Sequence, residues 1–215
     1  MKMAFLAVAA MLLVAAPAAQ SKSSKEMRLL QVCGASGCEA IKPAVSMGHG
    51  AFSAVTAPPL QSYYVLKVGW GDGKKIFVRG EQYFVPSTGA VLSKDTRGPT
   101  DGWAKLPARG VAAARGVAAR LQAFPAPMPS AAYIGTRRMP DVTPFLLLLG
   151  PLERTTVPQT GESPLSIGLE FRRANPWSTS AALLNYLPKA RVVIRLDGFF
   201  RVPDRVADRI DRLRR

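Results

Sequence analysis

The residues best suited to chemistry lie close together in the first quarter of the chain: Cys33, Cys38, Met47 and His49. Two thiols, a thioether and an imidazole are ligands that copper and other thiophilic metals prefer. The two cysteines could also act as a redox pair, although such pairs usually have two intervening residues rather than four. No second cysteine pair completes a typical zinc site, so we favour a structural disulfide, with redox and metal sites as alternatives.

The disulfide prediction depends on the short loop between Cys33 and Cys38. An even number of cysteines predicts a bridge when the protein works in an oxidising compartment. Gly34 and Gly37 allow the positive φ angles that a sharp turn requires. A loop this short constrains the unfolded chain little, so the bridge should stabilise the fold by about 2 kcal/mol at most. We therefore expect it to fix a local turn.

Other catalytic patterns are missing from the sequence. His49 is the single histidine, so any Ser-His-Asp or Cys-His machinery would have to use it. Nucleophile-elbow, Ser-x-x-Lys, zinc-protease and phosphate-loop motifs do not occur, and no two carboxylates are singled out by spacing as a glycosidase pair. The sequence therefore favours a non-catalytic protein without a cofactor, and an envelope hydrolase ranks third, after the thiol or metal protein.

The chain is strongly basic, with 29 Lys and Arg against 14 Asp and Glu and a formal net charge of +15. Such a charge attracts polyanions, here an anionic wall polymer or lipid headgroups, with no specific nucleic acid predicted. A GC-rich coding bias towards Arg, Ala, Pro and Gly is the alternative explanation. The candidate anion-binding residues lie in a stretch with a single acid, and they are Lys105, Arg109, Arg115, Arg120, Arg137 and Arg138.

The N-terminal residues have the pattern of an export signal. Lys2 precedes the uncharged stretch Ala4–Ala16, and Ala16-Pro17-Ala18 is a small-x-small cleavage pattern. As a helix the apolar stretch would rise about 20 Å, short of the roughly 30 Å hydrocarbon core. We therefore expect a signal peptide over residues 1–18, cleavage near Ala18, and a secreted or envelope-associated mature protein.

The mature chain divides into two regions at a proline-rich segment. A disordered leader over residues 19–26 should precede a β-rich region over 27–124. Residues 125–130 form the connector, and an α+β region over 131–215 follows, as a separate domain or as part of the first. The strands expected in the β-rich region form an antiparallel meander, with a turn over 69–73: Met27–Val32, Tyr63–Val68, Lys75–Arg79 and Gln82–Val85.

One helix is predicted between Pro107 and Phe124, where Arg-Gly-Val-Ala-Ala occurs twice. Val117, Leu121 and Phe124 would share one face at helical spacing. Gly110 and Gly116 oppose this helix, because each costs about 1 kcal/mol relative to Ala.

The second region combines alternating strands with helices. Ile167, Leu169 and Phe171 predict a half-buried strand, and Ser178 or Thr179 should cap a helix through Leu187. The remaining elements are a hairpin at Asp197-Gly198, a final helix from Pro203, and a buried strand or short core segment over Phe145–Leu149. Together they predict an α+β fold of antiparallel strands and hairpins with a few short helices.

Two pairs of sequence patterns remain. Val85-Pro86-Ser87-Thr88-Gly89 and Val157-Pro158-Gln159-Thr160-Gly161 resemble the Leu-Pro-x-Thr-Gly sequence that sortases recognise, but without its C-terminal context they predict turns. Trp70, Trp103 and Trp177, with Tyr63 and Tyr64, could stack on sugars or bases near basic side chains, although burial in the core is expected for most.

The cysteine motif also carries a resemblance. Val32-Cys33-Gly34-x-x-Gly37-Cys38, followed by the Tyr63-Tyr64 strand and Tyr83-Phe84-Val85-Pro86, resembles uncharacterised exported proteins of bacteria. The resemblance covers about the first third of the mature chain and implies export, but no activity.

Overall fold

The computed structural model describes residues 26–47, 53–71, 76–94, 102–158, 161–181, 184–195 and 197–215. The predicted signal peptide, its cleavage site, the leader to residue 25 and His49 lie outside these residues. No helix in the described part of the chain is long and apolar enough to cross a membrane. This part consists of two seven-stranded antiparallel sheets with short helices, which confirms the predicted α+β class.

The first sheet is built from the β-rich region, in the order β2-β1-β4-β5-β6-β7-β3. Side chains of this sheet alternate between its two faces and belong to two different core clusters. Leu66 and Phe84 lie on one face, and Val65 and Val85 lie on the other. The predicted turn from residue 69 begins too early, since β4 continues to Gly71. The strands are β1 (Glu26–Gly34), β2 (Gly37–Ser46), β3 (Ser53–Ala54), β4 (Tyr64–Gly71), β5 (Ile76–Val85), β6 (Ala90–Ser93) and β7 (Ala104–Lys105).

A bulge in β1 adjusts which side chains reach the core. The pairing of β1 with both neighbours shifts register between Leu29 and Gln31. In a regular strand, Val32 would lie on the other face of the sheet from Met27 and Leu29. The extra residue of the bulge places Val32 on the same face as these two residues. Cys33 therefore faces the other core.

Helix α1 (Ala108–Ala118) packs on β1 and β2 and covers one face of the first sheet. Val111, Ala114 and Val117 lie on its buried side at helical spacing. The helix ends before the predicted limit, and Phe124 leaves its face to pair with Tyr63. Phe124 pairs with Tyr63 instead of extending the helix, because this pairing satisfies backbone groups of both residues.

The second sheet has the order β10-β14-β13-β12-β11-β8-β9. The hairpin before Gly198 and the last helix are confirmed, and α4 buries Val206, Ala207 and Ile210. The elements are β8 (Ala131–Ile134), β9 (Arg137–Arg138), α2 (Thr143–Leu146), β10 (Arg154–Thr155), β11 (Leu165–Glu170), α3 (Ser178–Ala181), β12 (Leu184–Leu187), β13 (Val192–Arg195), β14 (Gly198–Arg201) and α4 (Asp204–Arg214).

One prediction in this region is wrong, and another is decided between its two alternatives. The helix from Ser178 ends at Ala181, and Leu184–Leu187 is a central strand that pairs with both β11 and β13. Pairing on both sides gives these four residues more backbone hydrogen bonds than another helical turn would. Phe145–Leu149 is a core segment but not a strand, since α2 continues into a 3-10 turn over Leu147–Leu149.

The two regions share one core across the proline-rich connector. Trp103 of the first region and Trp177 of the second are buried with ring centroids 5.5 Å apart. The indole N–H of Trp177 donates to the Pro58 carbonyl oxygen at 2.9 Å. This cluster also includes side chains of both sheets, α2 and α4. The second sheet is thereby fixed against the face of the first sheet that α1 leaves open.

Candidate functional site

The two cysteines form the predicted disulfide. Cys33 and Cys38 are directly opposite each other in the β1–β2 ladder, and their sulfur atoms are bonded. Cys33 lies in the core and Cys38 is exposed at the hairpin end. The bridge therefore connects the buried and exposed ends of a two-residue turn at Ala35 and Ser36.

The two glycines beside the cysteines serve different purposes. Gly37 has a φ angle of +127°, a backbone conformation that residues with a side chain rarely adopt. Gly34 does not have a positive φ, contrary to expectation, but a Cβ there would overlap the Gln122 carbonyl oxygen. That carbonyl accepts the Ala35 N–H at 2.8 Å, and Ser36 Oγ accepts the Gln122 N–H at 3.1 Å. The motif thus docks the hairpin on the segment after α1.

The structure separates Met47 from the cysteine pair. The Met47 N–H donates to the Met27 carbonyl, at the far end of β1 from Cys33. Six residues of strand separate these positions, or about 20 Å. Met47 is buried beneath Gly110 of α1, in a different core cluster from Cys33. Among the described residues no group of three or more His, Cys, Asp or Glu could hold a metal ion.

Three of the predicted anion-binding residues lie on α1 or just before it: Lys105 precedes the helix, Arg109 is in its first turn and Arg115 is in its last turn. Lys105 and Arg115 line the same depression, of about 390 Å³, together with Ser87, Thr88 and residues of α1. Arg115 donates from Nε to the Pro86 carbonyl at 2.8 Å and from Nη2 to the Ser87 carbonyl at 3.1 Å. Arg109 is exposed in the first helical turn. We call Lys105, Arg115, Ser87 and Thr88 the basic groove.

The other three predicted residues lie elsewhere. Arg120 forms an ion pair with Glu39 of β2, which lowers the pKa of that carboxyl group. Arg137 and Arg138 form β9 in the second sheet, and Arg137 Nη1 donates to the Arg214 carbonyl at 3.3 Å. The residues of the predicted single patch are therefore distributed over β7, α1, the turn after α1 and β9.

The acidic side chains of the described residues already have partners. Asp197, for example, binds the buried Arg195 with both carboxylate oxygens, at 2.9 and 2.8 Å. Glu162 accepts two backbone N–H groups, from Lys189 and Ala190. Most of the remaining carboxylates pair with Arg or Lys, and Glu26 and Glu170 accept hydroxyl groups. The excess positive charge around the basic groove consequently has no internal counterion in this part of the chain.

A cleft of about 460 Å³ lies between the two regions, and its floor is aromatic. Tyr63 stacks on Phe124 with centroids 5.3 Å apart and meets the edge of Tyr83 at 5.7 Å. Backbone hydrogen bonds in both directions join Tyr63 and Phe124, at 3.1 and 2.9 Å. Burial raises the pKa of the Tyr63 hydroxyl, so this group is uncharged at neutral pH. We call Tyr63, Tyr83 and Phe124 the aromatic floor.

Cationic side chains surround this floor. Arg172 and Arg173 are exposed residues just after β11, and their guanidinium groups have no ion-pair or hydrogen-bond partner among the described residues. The buried Asn175 fixes the chain beside them, because its side chain donates to the Arg173 carbonyl and accepts the Trp177 N–H. Lys94 also lines the cleft and pairs with Glu81.

Sequence reasoning found only part of this cleft. Tyr63 was a candidate for stacking, whereas Trp103 and Trp177, from the same set, are buried in the core. Arg172 and Arg173 were missed because they are distant in sequence from the candidate patch. The dibasic pair directly after an alternating strand was the available signal.

Comparison of the chain with protein-family models, with curated proteins and with solved structures found no match. The resemblance to exported bacterial proteins accordingly stays a prediction. We therefore infer function from the geometry of the described residues.

Proposed function

We propose that this is a non-catalytic extracytoplasmic protein that binds a phosphate-bearing component of the bacterial envelope, a wall polymer or a lipid headgroup. The observation that carries this proposal is the shared depression of Lys105 and Arg115, which no described acid lines. The Cys33–Cys38 disulfide supports an oxidising compartment outside the cytoplasm.

One cation of the basic groove, Arg115, is already oriented before any ligand binds. Arg115 is held by two neutral carbonyl groups, which orient the guanidinium without cancelling its charge. The hydroxyl groups of Ser87 and Thr88 lie on the same wall but donate to Gln61 Oε1 at 2.6 Å and to the Val85 carbonyl at 3.4 Å. The donors left for an anion are therefore the Lys105 ammonium and the remaining N–H groups of Arg115.

The beginning of α1 adds to the positive potential. Pro107 precedes the helix, no side chain caps it, and its first turn contains no acid. The positive end of the helix dipole is therefore not neutralised locally. Arg109 does not line the groove, but it adds a full positive charge in the same helical turn and so raises the positive potential near the groove.

We expect sedimentation with isolated wall fragments or phosphatidylglycerol vesicles to retain the protein at physiological salt. The test variant combines Lys105→Glu and Arg109→Glu, since neither side chain makes a described hydrogen bond or ion pair. It should reduce binding at least tenfold, because it reverses two charges beside the groove. Wall fragments and vesicles tested separately distinguish the two sources of phosphate.

The matched control combines Arg205→Glu and Arg212→Glu on α4, which change the net charge equally in the other region. It should retain most of the binding. Equal losses in the two variants, or equal binding to wall, vesicles and DNA that disappears at physiological salt, would indicate nonspecific charge attraction and contradict the proposal.

A further inference from the structure

The cleft between the two regions supports a second inference, which does not depend on the basic groove. We propose that the cleft binds an anionic saccharide unit, with the sugar ring against the aromatic floor and its carboxylate or phosphate at Arg172 and Arg173. The ligand is part of a glycan and is recognised by both its ring and its charge.

The aromatic floor is a preorganised surface on which a flat apolar face of a ligand can pack. Two backbone hydrogen bonds to Phe124 fix the backbone of Tyr63, and ring contacts with Phe124, Tyr83 and the buried Trp177 hold its side chain. A ligand would therefore order few side chains on binding. The cleft volume of about 460 Å³ falls within the range of small-molecule sites.

The cationic side chains beside the aromatic floor determine which charge the ligand should carry. Arg172 and Arg173 present two planar guanidinium groups with no described partner, and no described acid lines the cleft. Guanidinium groups bind carboxylate or phosphate through two parallel hydrogen bonds. Charge complementarity therefore excludes a cationic ligand and favours an anion over a neutral sugar.

The proline-rich wall favours a ligand with hydroxyl groups. Pro125, Ala126, Pro127 and Met128 line the cleft, and their backbone groups make no hydrogen bond to other described residues. Proline has no N–H, so this wall offers mainly carbonyl acceptors. Sugar hydroxyl groups donate to such acceptors, whereas an aryl carboxylate has no donor to offer them.

The test is calorimetric titration of the whole protein at physiological salt with three probes: an oligogalacturonate, a neutral cello-oligosaccharide of the same length, and benzoate. We expect the oligogalacturonate to bind at least tenfold more tightly than either of the others. The variant Arg172→Gln with Arg173→Gln should weaken oligogalacturonate binding at least tenfold, because it removes both charge-assisted contacts.

The control variant Arg205→Gln with Arg212→Gln, with the same loss of charge on α4, should change this affinity less than twofold. The groove variant Lys105→Glu with Arg109→Glu should also leave it within twofold, so failure of the groove proposal and failure of this one are distinguishable. Benzoate binding as tight as the uronide, equal losses in the Arg172/Arg173 and α4 variants, or no uronide binding by natively folded protein would overturn the inference.

Discussion

Tyr186 lies at the centre of the second sheet, fully buried, and its hydroxyl group has no hydrogen-bond partner among the described residues. Burial is the main cause that raises the pKa of Tyr186, and the nearby Asp211 carboxylate adds to it. The ionised phenolate is therefore disfavoured in the folded state. The unfolded state should release this proton near the ordinary tyrosine pKa of about 10.

We predict that Tyr186→Phe stabilises the protein by about 1 kcal/mol at pH 7, because it removes a buried polar group without a described partner. Because the pKa of Tyr186 is raised in the folded state, the unfolded state alone releases this proton just above pH 10, and stability is lost as the pH rises further. The variant should therefore lose less stability than the parent between pH 9 and 11. Urea unfolding at several pH values measures both effects.

The half-buried Tyr133 provides a control, because its hydroxyl lies at the surface and donates to Glu170 at 3.4 Å. Tyr133→Phe should leave the stability at pH 7 nearly unchanged, because its hydroxyl is not a buried group without a partner. A destabilised Tyr186→Phe variant would mean that the Tyr186 hydroxyl has a partner after all.

At the scale of elements, α1 contains two glycines in different surroundings. Gly116 is exposed, and a Cβ built on it meets no atom within 4 Å. Gly110 is buried, and a Cβ there would lie 2.5 Å from the Met47 sulfur. Packing therefore explains the glycine in the first copy of the repeated Arg-Gly-Val-Ala-Ala sequence, but not the glycine in the second copy.

We predict that Gly116→Ala stabilises the protein by about 1 kcal/mol, the difference in helix propensity between the two residues. Gly110→Ala should be less stable than Gly116→Ala by about 1 kcal/mol or more, because the buried Met47 has to move. Chemical denaturation followed by circular dichroism compares the two. Equal stabilisation by both substitutions would show that Met47 does not fix the position of α1.

At the scale of the whole molecule, the Trp103–Trp177 pair joins the two regions. Both side chains are buried, but they differ in hydrogen bonding. Trp177 Nε1 donates to the Pro58 carbonyl, whereas Trp103 Nε1 has no partner among the described residues. This difference separates the contribution of the hydrogen bond from that of ring packing.

We predict that Trp177→Phe is about 1–3 kcal/mol more destabilising than Trp103→Phe, because only the former leaves a buried carbonyl without its donor. Both substitutions remove similar volume, so their cavity costs should be comparable. Thermal unfolding should stay a single transition in both variants if the two regions form one cooperative unit. Two separate transitions in Trp177→Phe would show that this contact alone couples them.

Local signals predicted most of the regular elements. The alternation of Ile167 and Leu169, the turn before Gly198 and the amphipathic pattern after Pro203 all depend on neighbouring residues, and the structure confirms them. Local signals favour a helix through Leu187, but Leu184–Leu187 is a strand because it pairs with β11 and β13, and these four residues do not themselves reveal that pairing. The bulge after Leu29 likewise depends on the partner strands.

The sequence alone determined the α+β class, the disulfide and the basic charge, because each follows from residue type and short spacing. The tertiary structure decided which cations share a surface, and it distributed one run of basic residues over β7, α1, the turn after α1 and β9. It also placed Arg172 and Arg173 beside Tyr63, more than a hundred residues earlier in the chain. Packing between distant strands decides such positions, and no local pattern contains that information.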